Sequence, residues 1–227
     1  MKYPKIKTLY VRKNPEQGRK SFVEKGKFSS PVFPNIRKYI VTEKIDGKNI
    51  RLVFSKDKAE FYGRTNKAQF SDTEKEYLQD IVNKSKKYMQ EEFIVGSDVQ
   101  MCIFAELFGY NIQKAGHLYS KDRYRLAAFD FAILADRIYW QPWEKVIEIA
   151  KALNLEIVPV IENIYCIDKI VGIVQDGFNS QISEAKQIAE GIVARAYPQV
   201  FFANGNRVMF KLKYKDFYRQ VEYARMF

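Results

Sequence analysis

Every apolar run in this 227-residue sequence is short, and a charged or turn-forming residue interrupts each one within a few positions. A membrane-spanning helix needs about 20 consecutive apolar residues, so no run qualifies and a bilayer is not an expected partner. The runs fit strands and amphipathic helices that each give one face to a core. A hydrophobic fraction of 47% is ordinary for a globular protein and makes such a core feasible. The basic start Met1-Lys2-Tyr3-Pro4-Lys5 is not followed by an apolar stretch. No secretory signal is therefore expected, and a cytoplasmic setting is, a phage-encoded protein included.

The order of the elements sets the fold class. Residues 1–38 form a basic N-terminal segment, loop-rich over 12–38 where Lys, Arg, Gly, Ser and Pro concentrate. Tyr39 to Phe54 reads as two strands broken at Asp46-Gly47, a pair suited to a tight turn because Gly accepts positive φ. Lys58 to Tyr62 reads as a third strand. Ser71 to Gln90 reads as a helix, with Ser71 and Glu74 in capping-box spacing and Tyr77, Leu78, Ile81 and Val82 at helical spacing. Strands follow at Gln100–Leu107 and Leu126–Leu134, then helices at Pro142–Leu153 and Asp168–Gln175. Further strands are expected at Ile192–Ala196 and Arg207–Leu212, and a helical tail over Lys215–Met226. Without regular βαβ alternation, this mixture predicts an α+β fold with largely antiparallel sheets, built as one domain over residues 1–227.

The residue inventory removes several chemistries. Cys102, Cys166 and the lone His117 are too few for a zinc site. One His also argues against a Ser-His-Asp or Cys-His machine. The two cysteines are read as reduced thiols. A net charge of +11 makes nucleic acid a natural partner, because cationic side chains displace the counterions condensed on phosphates. No G-x-x-x-x-G-K-[ST] loop or G-x-G-x-x-G turn occurs, so a nucleotide would have to be held by another device.

One candidate is Thr42-Glu43-Lys44-Ile45-Asp46-Gly47-Lys48-Asn49, where a lysine ends a strand beside two carboxylates. A lysine amine attacks only when neutral, which neighbouring cations or desolvation promote. Arg64, Lys211 and Lys213 are the later cations placed to supply such a field. Lys44-Ile45-Asp46-Gly47 resembles the KxDG nucleophile motif of the covalent nucleotidyltransferases, which comprise ATP-dependent DNA ligases, RNA ligases and capping enzymes. Tyr62-Gly63-Arg64-Thr65, Phe104-Ala105-Glu106-Leu107-Phe108-Gly109, Ala128-Phe129-Asp130-Phe131, Ala189-Glu190-Gly191-Ile192-Val193 and Phe210-Lys211-Leu212-Lys213 resemble the motifs that follow it, in the same order. Each string alone is weak. Six in order over residues 43–213 are not.

The resemblance implies an antiparallel, helix-flanked, ATP-grasp-like nucleotidyltransferase domain that carries AMP on Lys44. It implies catalytic roles for Lys44, Arg64, Glu106, Glu190, Lys211 and Lys213. Nucleotide contacts are implied at Glu43, Lys44, Ile45, Asn49, Arg64, Glu106, Phe129 (against adenine), Ile192, Lys211 and Lys213. Asp46, Glu106 and Glu190 are implied to position Mg2+ or Mn2+, with ATP as the nucleotide. "TEKIDGKNI", "GYNIQ" and "NGNRV" are most similar to the RNA ligase 2 family and small stand-alone RNA ligases. That similarity implies 5′-phosphate to 3′-hydroxyl sealing of RNA, on a nicked duplex among other substrates, by a monomer. Only 14 residues follow Lys213, so neither an OB-fold nor an RNA ligase 2 C-terminal domain is expected. A minimal DNA nick ligase, a GTP-using capping enzyme and a catalytically idle nucleic-acid-binding protein are the alternatives.

Overall fold

The computed structural model describes residues 2–13, 22–93, 99–164 and 166–217. Residues 14–21 of the basic N-terminal segment and the greater part of the expected C-terminal helix lie outside them; residues 214–217 form one helical turn. The fold is α+β with largely antiparallel sheets, as the sequence predicts. The chain divides into two compact units, one comprising Met1–Tyr3, Asp46–Val158 and Ser183–Ala185, the other Pro4–Ile45, Pro159–Ile182 and Lys186–Phe227. Among the described residues, no helix is long and apolar enough to cross a membrane.

In chain order the strands are β1 (Lys7–Thr8), β2 (Tyr10–Arg12), β3 (Val23–Phe28), β4 (Tyr39–Glu43), β5 (Lys48–Phe54), β6 (Ala59–Gly63), β7 (Gln100–Gly109), β8 (Tyr124–Leu134), β9 (Ile138–Trp140), β10 (Glu156–Ile157), β11 (Val160–Ile164), β12 (Gly191–Ala196) and β13 (Met209–Lys213). The helices are α1 (Asp72–Phe93), α2 (Gly116–Tyr119), α3 (Trp143–Ala152) and α4 (Ile167–Asp176). Segment 12–38 is less loop-like than its composition predicts, because β2 and β3 pair there as a two-stranded sheet.

The Pro4–Ile45 unit is built on a five-stranded sheet ordered β1-β13-β12-β4-β11. Only the β1–β13 pair is parallel. Side chains alternate across the sheet with period two. Val41, Ile192, Ala194, Phe210 and Leu212 enter a core shared with Ile170, Val171 and Val174 of α4 and with Tyr10 and Val23 of the β2–β3 pair. On the opposite face Val193, Arg195, Lys211 and Lys213 are only half-buried. That division fixes where chemistry can occur: Lys211 and Lys213 share one face and the core occupies the other.

The Asp46–Val158 unit is built on a six-stranded sheet ordered β10-β8-β7-β5-β6, with β9 on β8. Helix α1 packs on β5 and β6, burying Leu78, Val82, Ser85 and Met89, which recur at helical spacing along one face. Its start is the expected capping box: the Ser71 N–H donates to Glu74 at 2.9 Å and the Glu74 N–H to the Ser71 hydroxyl at 3.3 Å.

One expectation needs correction. Strands β4 and β5 flank Asp46-Gly47 as predicted, but no tight turn joins them as partners, since each belongs to a different sheet. Nor does Gly47 adopt positive φ. It is needed for space: a Cβ there would lie 2.3 Å from the Leu107 carbonyl oxygen and 2.8 Å from Cγ of Glu106.

Candidate active site

Lys44 follows the last residue of β4 and is held in place by its own backbone. Its N–H donates to the Gly191 carbonyl at 2.9 Å, extending the β4–β12 ladder by one bond. Its Nζ donates to the Glu190 carboxylate and, at 3.4 Å, to the Ile45 carbonyl. The second Glu190 oxygen accepts from Lys213 Nζ. The Glu190 backbone carbonyl accepts from the Tyr214 N–H at 2.9 Å. One carboxylate is thus gripped by two lysines from opposite sides of β12. Burial works to raise the Glu190 carboxyl, but the charges and hydrogen bonds of Lys44 and Lys213 outweigh it and hold it below the usual carboxylate range.

Lys211 shares the face of Lys213, as the period-two reading predicts. Its amine is pushed down to about 8, first by burial and then by the positive charges of Lys213 and Lys44, with Glu190 opposing and Arg12 adding to the effect. The site therefore carries more positive charge than its carboxylate offsets, which is the electrostatic signature of an anion site. Gly191 permits this geometry. Its φ is +152°, and a Cβ would lie 2.0 Å from the Leu212 carbonyl oxygen.

Two nucleotide-binding expectations meet other surroundings in this unit. Glu43 is buried, and its carboxylate accepts from the Ser180 hydroxyl at 2.5 Å and the Gln181 N–H at 2.9 Å. Burial raises the carboxyl, and those two bonds oppose the rise. Ile192 has its side chain in the core, on the face away from Lys211 and Lys213. Ile45 is also buried. For the two isoleucines only the backbone is left to meet a ligand.

In the Asp46–Val158 unit, Asn49 on β5 stands directly opposite Glu106 on β7, so both side chains leave the same face of the sheet. Glu106 Cγ lies against the Cα of Gly47, as the glycine's tight fit requires. The Asn49 Oδ1 is buried without a hydrogen-bond partner. Asp46 is partly exposed, and its N–H donates to the Tyr119 hydroxyl at 3.2 Å. Arg64 is exposed on the turn after β6. Phe129 sits at the bulge where the β7–β8 register shifts, half-buried, with its ring edge-on to Tyr3 at 5.2 Å.

The donor chemistry for a divalent ion is present as single carboxylates rather than a cage. Among the described residues, no group of three or more His, Cys, Asp or Glu side chains is gathered to hold a metal. Mg2+ keeps several waters and takes one or two carboxylates plus substrate phosphates. Asp46 and Glu106, the latter opposite Asn49 with its unpartnered Oδ1, fit that requirement.

Two contributors escape sequence reasoning. Arg51 is 2% exposed. It donates to the Gly63 carbonyl at 2.9 Å and to Asn66 at 2.7 Å, and stacks over Tyr62 at 5.2 Å. It thereby fixes the turn that carries Arg64. An arginine inside the apolar strand "NIRLVF" was the available signal. Asp216 is buried, accepts the Lys213 N–H at 3.2 Å and pairs with Arg12 at 2.9 Å. Nothing in its local sequence marks it.

Residues 37–213 match the family described as RNA ligase. No curated protein sequence matches the chain. Among solved structures it is similar to Naegleria gruberi RNA ligase. A lysine-to-alanine mutant of that ligase with ATP and Mn aligns at TM-score 0.59 and 17% identity over 82% of this chain and 52% of that one. An aspartate-to-alanine mutant without ligand aligns at 0.59 and 16%, over 86% and 54%. A lysine-to-methionine mutant with AMP and Mn aligns at 0.59 and 17%, over 84% and 53%. At such identities the likeness is one of fold, and this chain spans about half the length of those ligases.

Proposed function

The chain belongs to the RNA ligase family, and from that premise we propose that it is an ATP-dependent RNA ligase working through AMP on Lys44. The observation that carries this reading is the Lys44–Glu190–Lys213 arrangement with Lys211 on the same face. An amine placed between cations and one carboxylate is where a polyphosphate would settle and be attacked.

Lys44 Nζ attacks the α-phosphorus of ATP; the N–P bond forms, the P–O bond to pyrophosphate breaks, and the amine gives up its proton. Only the neutral amine attacks, so the ion pair to Glu190 is a resting arrangement that the reaction opens. Lys211 and Lys213 neutralise charge on the phosphates as it redistributes. Arg64, held by Arg51, and Asn49 contact nucleotide or end-phosphate, and Phe129 faces the base. Glu43, its carboxylate engaged, steadies the 180–181 segment behind the nucleophile. Asp46, Glu106 and Glu190 would hold Mg2+ or Mn2+, which would supply further charge neutralisation. AMP then passes to an RNA 5′-phosphate, and a 3′-hydroxyl displaces it to close the strand.

Incubation with α-labelled ATP and Mg2+ tests the first step. Acid-stable label on the wild type and none on Lys44→Ala is expected; no label, or label surviving that substitution, refutes it. Matched RNA and DNA nicks test the substrate, and preferential DNA sealing overturns the RNA assignment.

A further inference from the structure

The cationic face of the five-stranded sheet is only part of the positive charge on the Pro4–Ile45 unit. Strand β12 carries Gly191 beside Lys44 at one end and Ala196 at the other, about 17 Å away at strand rise. Beyond Ala196, residues 197–208 connect to β13. This connection is firmly hydrogen-bonded: Phe202 N–H to Asn206 carbonyl at 2.7 Å, Gly205 N–H to Phe202 carbonyl at 2.9 Å, Val208 N–H to Val200 carbonyl at 2.7 Å. Yet it presents two large aromatic side chains to water, Tyr197 at 37% and Phe201 at 48% exposed. Lysines accompany the aromatics. Lys38 lies over the Tyr197 ring at 4.6 Å, and Lys7 over Phe202 at 5.9 Å. The Tyr197 N–H donates to the Lys38 carbonyl, and Phe201 bridges to Arg207.

The three segments that make this surface, residues 4–10, 31–39 and 196–208, contain Lys5, Lys7, Arg37 and Lys38, with Arg207 largely buried, and not one Asp or Glu. An acid-free basic surface with rigidly held, exposed aromatic rings matches one polymer in particular. Phosphates satisfy the cations, and unpaired bases stack on the rings. An acidic protein could meet the cations but brings no flat bases for the rings, and a duplex has no free base faces to offer.

We propose that Tyr197 and Phe201, with Lys7 and Lys38, form a docking platform for single-stranded RNA. It rests on the RNA ligase reading only for the choice of RNA over DNA. The platform lies at the strand ends opposite Lys44, so it binds strand flanking the reacting end and takes no part in nucleotide transfer. Backbone cations set the affinity, and the rings favour single strands.

The test uses the whole chain, a fluorescein-labelled 5′-phosphorylated 12-nucleotide RNA and anisotropy titrations at several salt concentrations. Tyr197→Ser and Phe201→Ser each weaken binding at least about fivefold and leave the salt dependence unchanged. Lys7→Gln and Lys38→Gln each reduce the slope of log affinity against log salt by about 0.7. A blunt RNA duplex competes poorly. Lys44 adenylylation, which needs no RNA, is unaffected in all four variants. Unchanged RNA affinity in both aromatic variants overturns the proposal, as does equal competition by duplex or a wild type that binds no RNA. Loss of the AMP label with platform-dependent RNA binding retained refutes the catalytic reading and leaves the platform standing.

Discussion

If burial, and then the charges of Lys213 and Lys44 that Glu190 only partly offsets, hold Lys211 down, binding a nucleotide must draw a proton from solution. The free amine sits at about 8, so at pH 8 it is half protonated. Phosphate oxygens beside it would lift it back toward the ordinary lysine value of about 10.4. The bound form is then almost fully protonated, and binding takes up about half a proton per site at pH 8. At pH 6.5 the free amine already holds its proton and uptake falls below about a tenth. Uptake makes affinity fall as pH rises, by roughly fivefold between pH 8 and 9. The triphosphate's last ionisation, near 6 for a phosphate, is complete at pH 8 and does not interfere. The assay is calorimetric titration with α,β-methylene ATP, which cannot transfer AMP, in two pH 8 buffers of different ionisation enthalpy. Lys211→Arg keeps the charge but does not titrate, and should bind without uptake. Zero uptake by the wild type, or equal uptake by Lys211→Arg, refutes the electrostatic account of the site.

Gly191→Ala should lose at least about 3 kcal/mol in urea unfolding, since backbone strain adds to a Cβ only 2.0 Å from the Leu212 oxygen, and should abolish AMP labelling. Gly172→Ala is its counterpart: inside α4 with nothing within 4 Å of a new Cβ, it should gain about 0.5–1 kcal/mol. Arg12→Ala strands the buried Asp216 carboxylate; because Arg12 is partly exposed, a loss of about 1.5–3 kcal/mol is expected, with Arg12→Ala and Asp216→Asn less than additive in a double-mutant cycle. Burial pushes the Cys102 thiol up to about 12, while Cys166 is exposed, so a thiol reagent should modify Cys166 alone until the protein unfolds.

What the sequence made legible was local. The Ser71–Glu74 cap, the helical stripe of α1 and the shared face of Lys211 and Lys213 depend on spacings of a few residues, and periodicity alone predicts them. The partition of β4 and β5 into different sheets was not legible, because the decisive contact is between Gly47 and the Leu107 carbonyl, 60 residues on. For the same reason Gly47 suggested a turn conformation when its role is to let a strand pass. The hold of Ser180 on Glu43, of Arg51 on the Arg64 turn and of Arg12 on Asp216 depends likewise on distant partners.

The same distinction applies to the motif residues. Motif residues close in sequence need not share a unit: the boundary falls between Ile45 and Asp46, inside the KxDG string itself. The lysines and Glu190 belong to the unit whose core is filled from one sheet face, which leaves the opposite face for charge. Asp46, Asn49, Arg64, Glu106 and Phe129 belong to the other unit. Substitutions within one unit should therefore be separable in their effects from substitutions within the other. Arg51→Ala, which frees the Arg64 turn, should raise the ATP concentration needed for half-maximal labelling while leaving the pH-linked behaviour of Lys211 as it was. Lys213→Ala should change both.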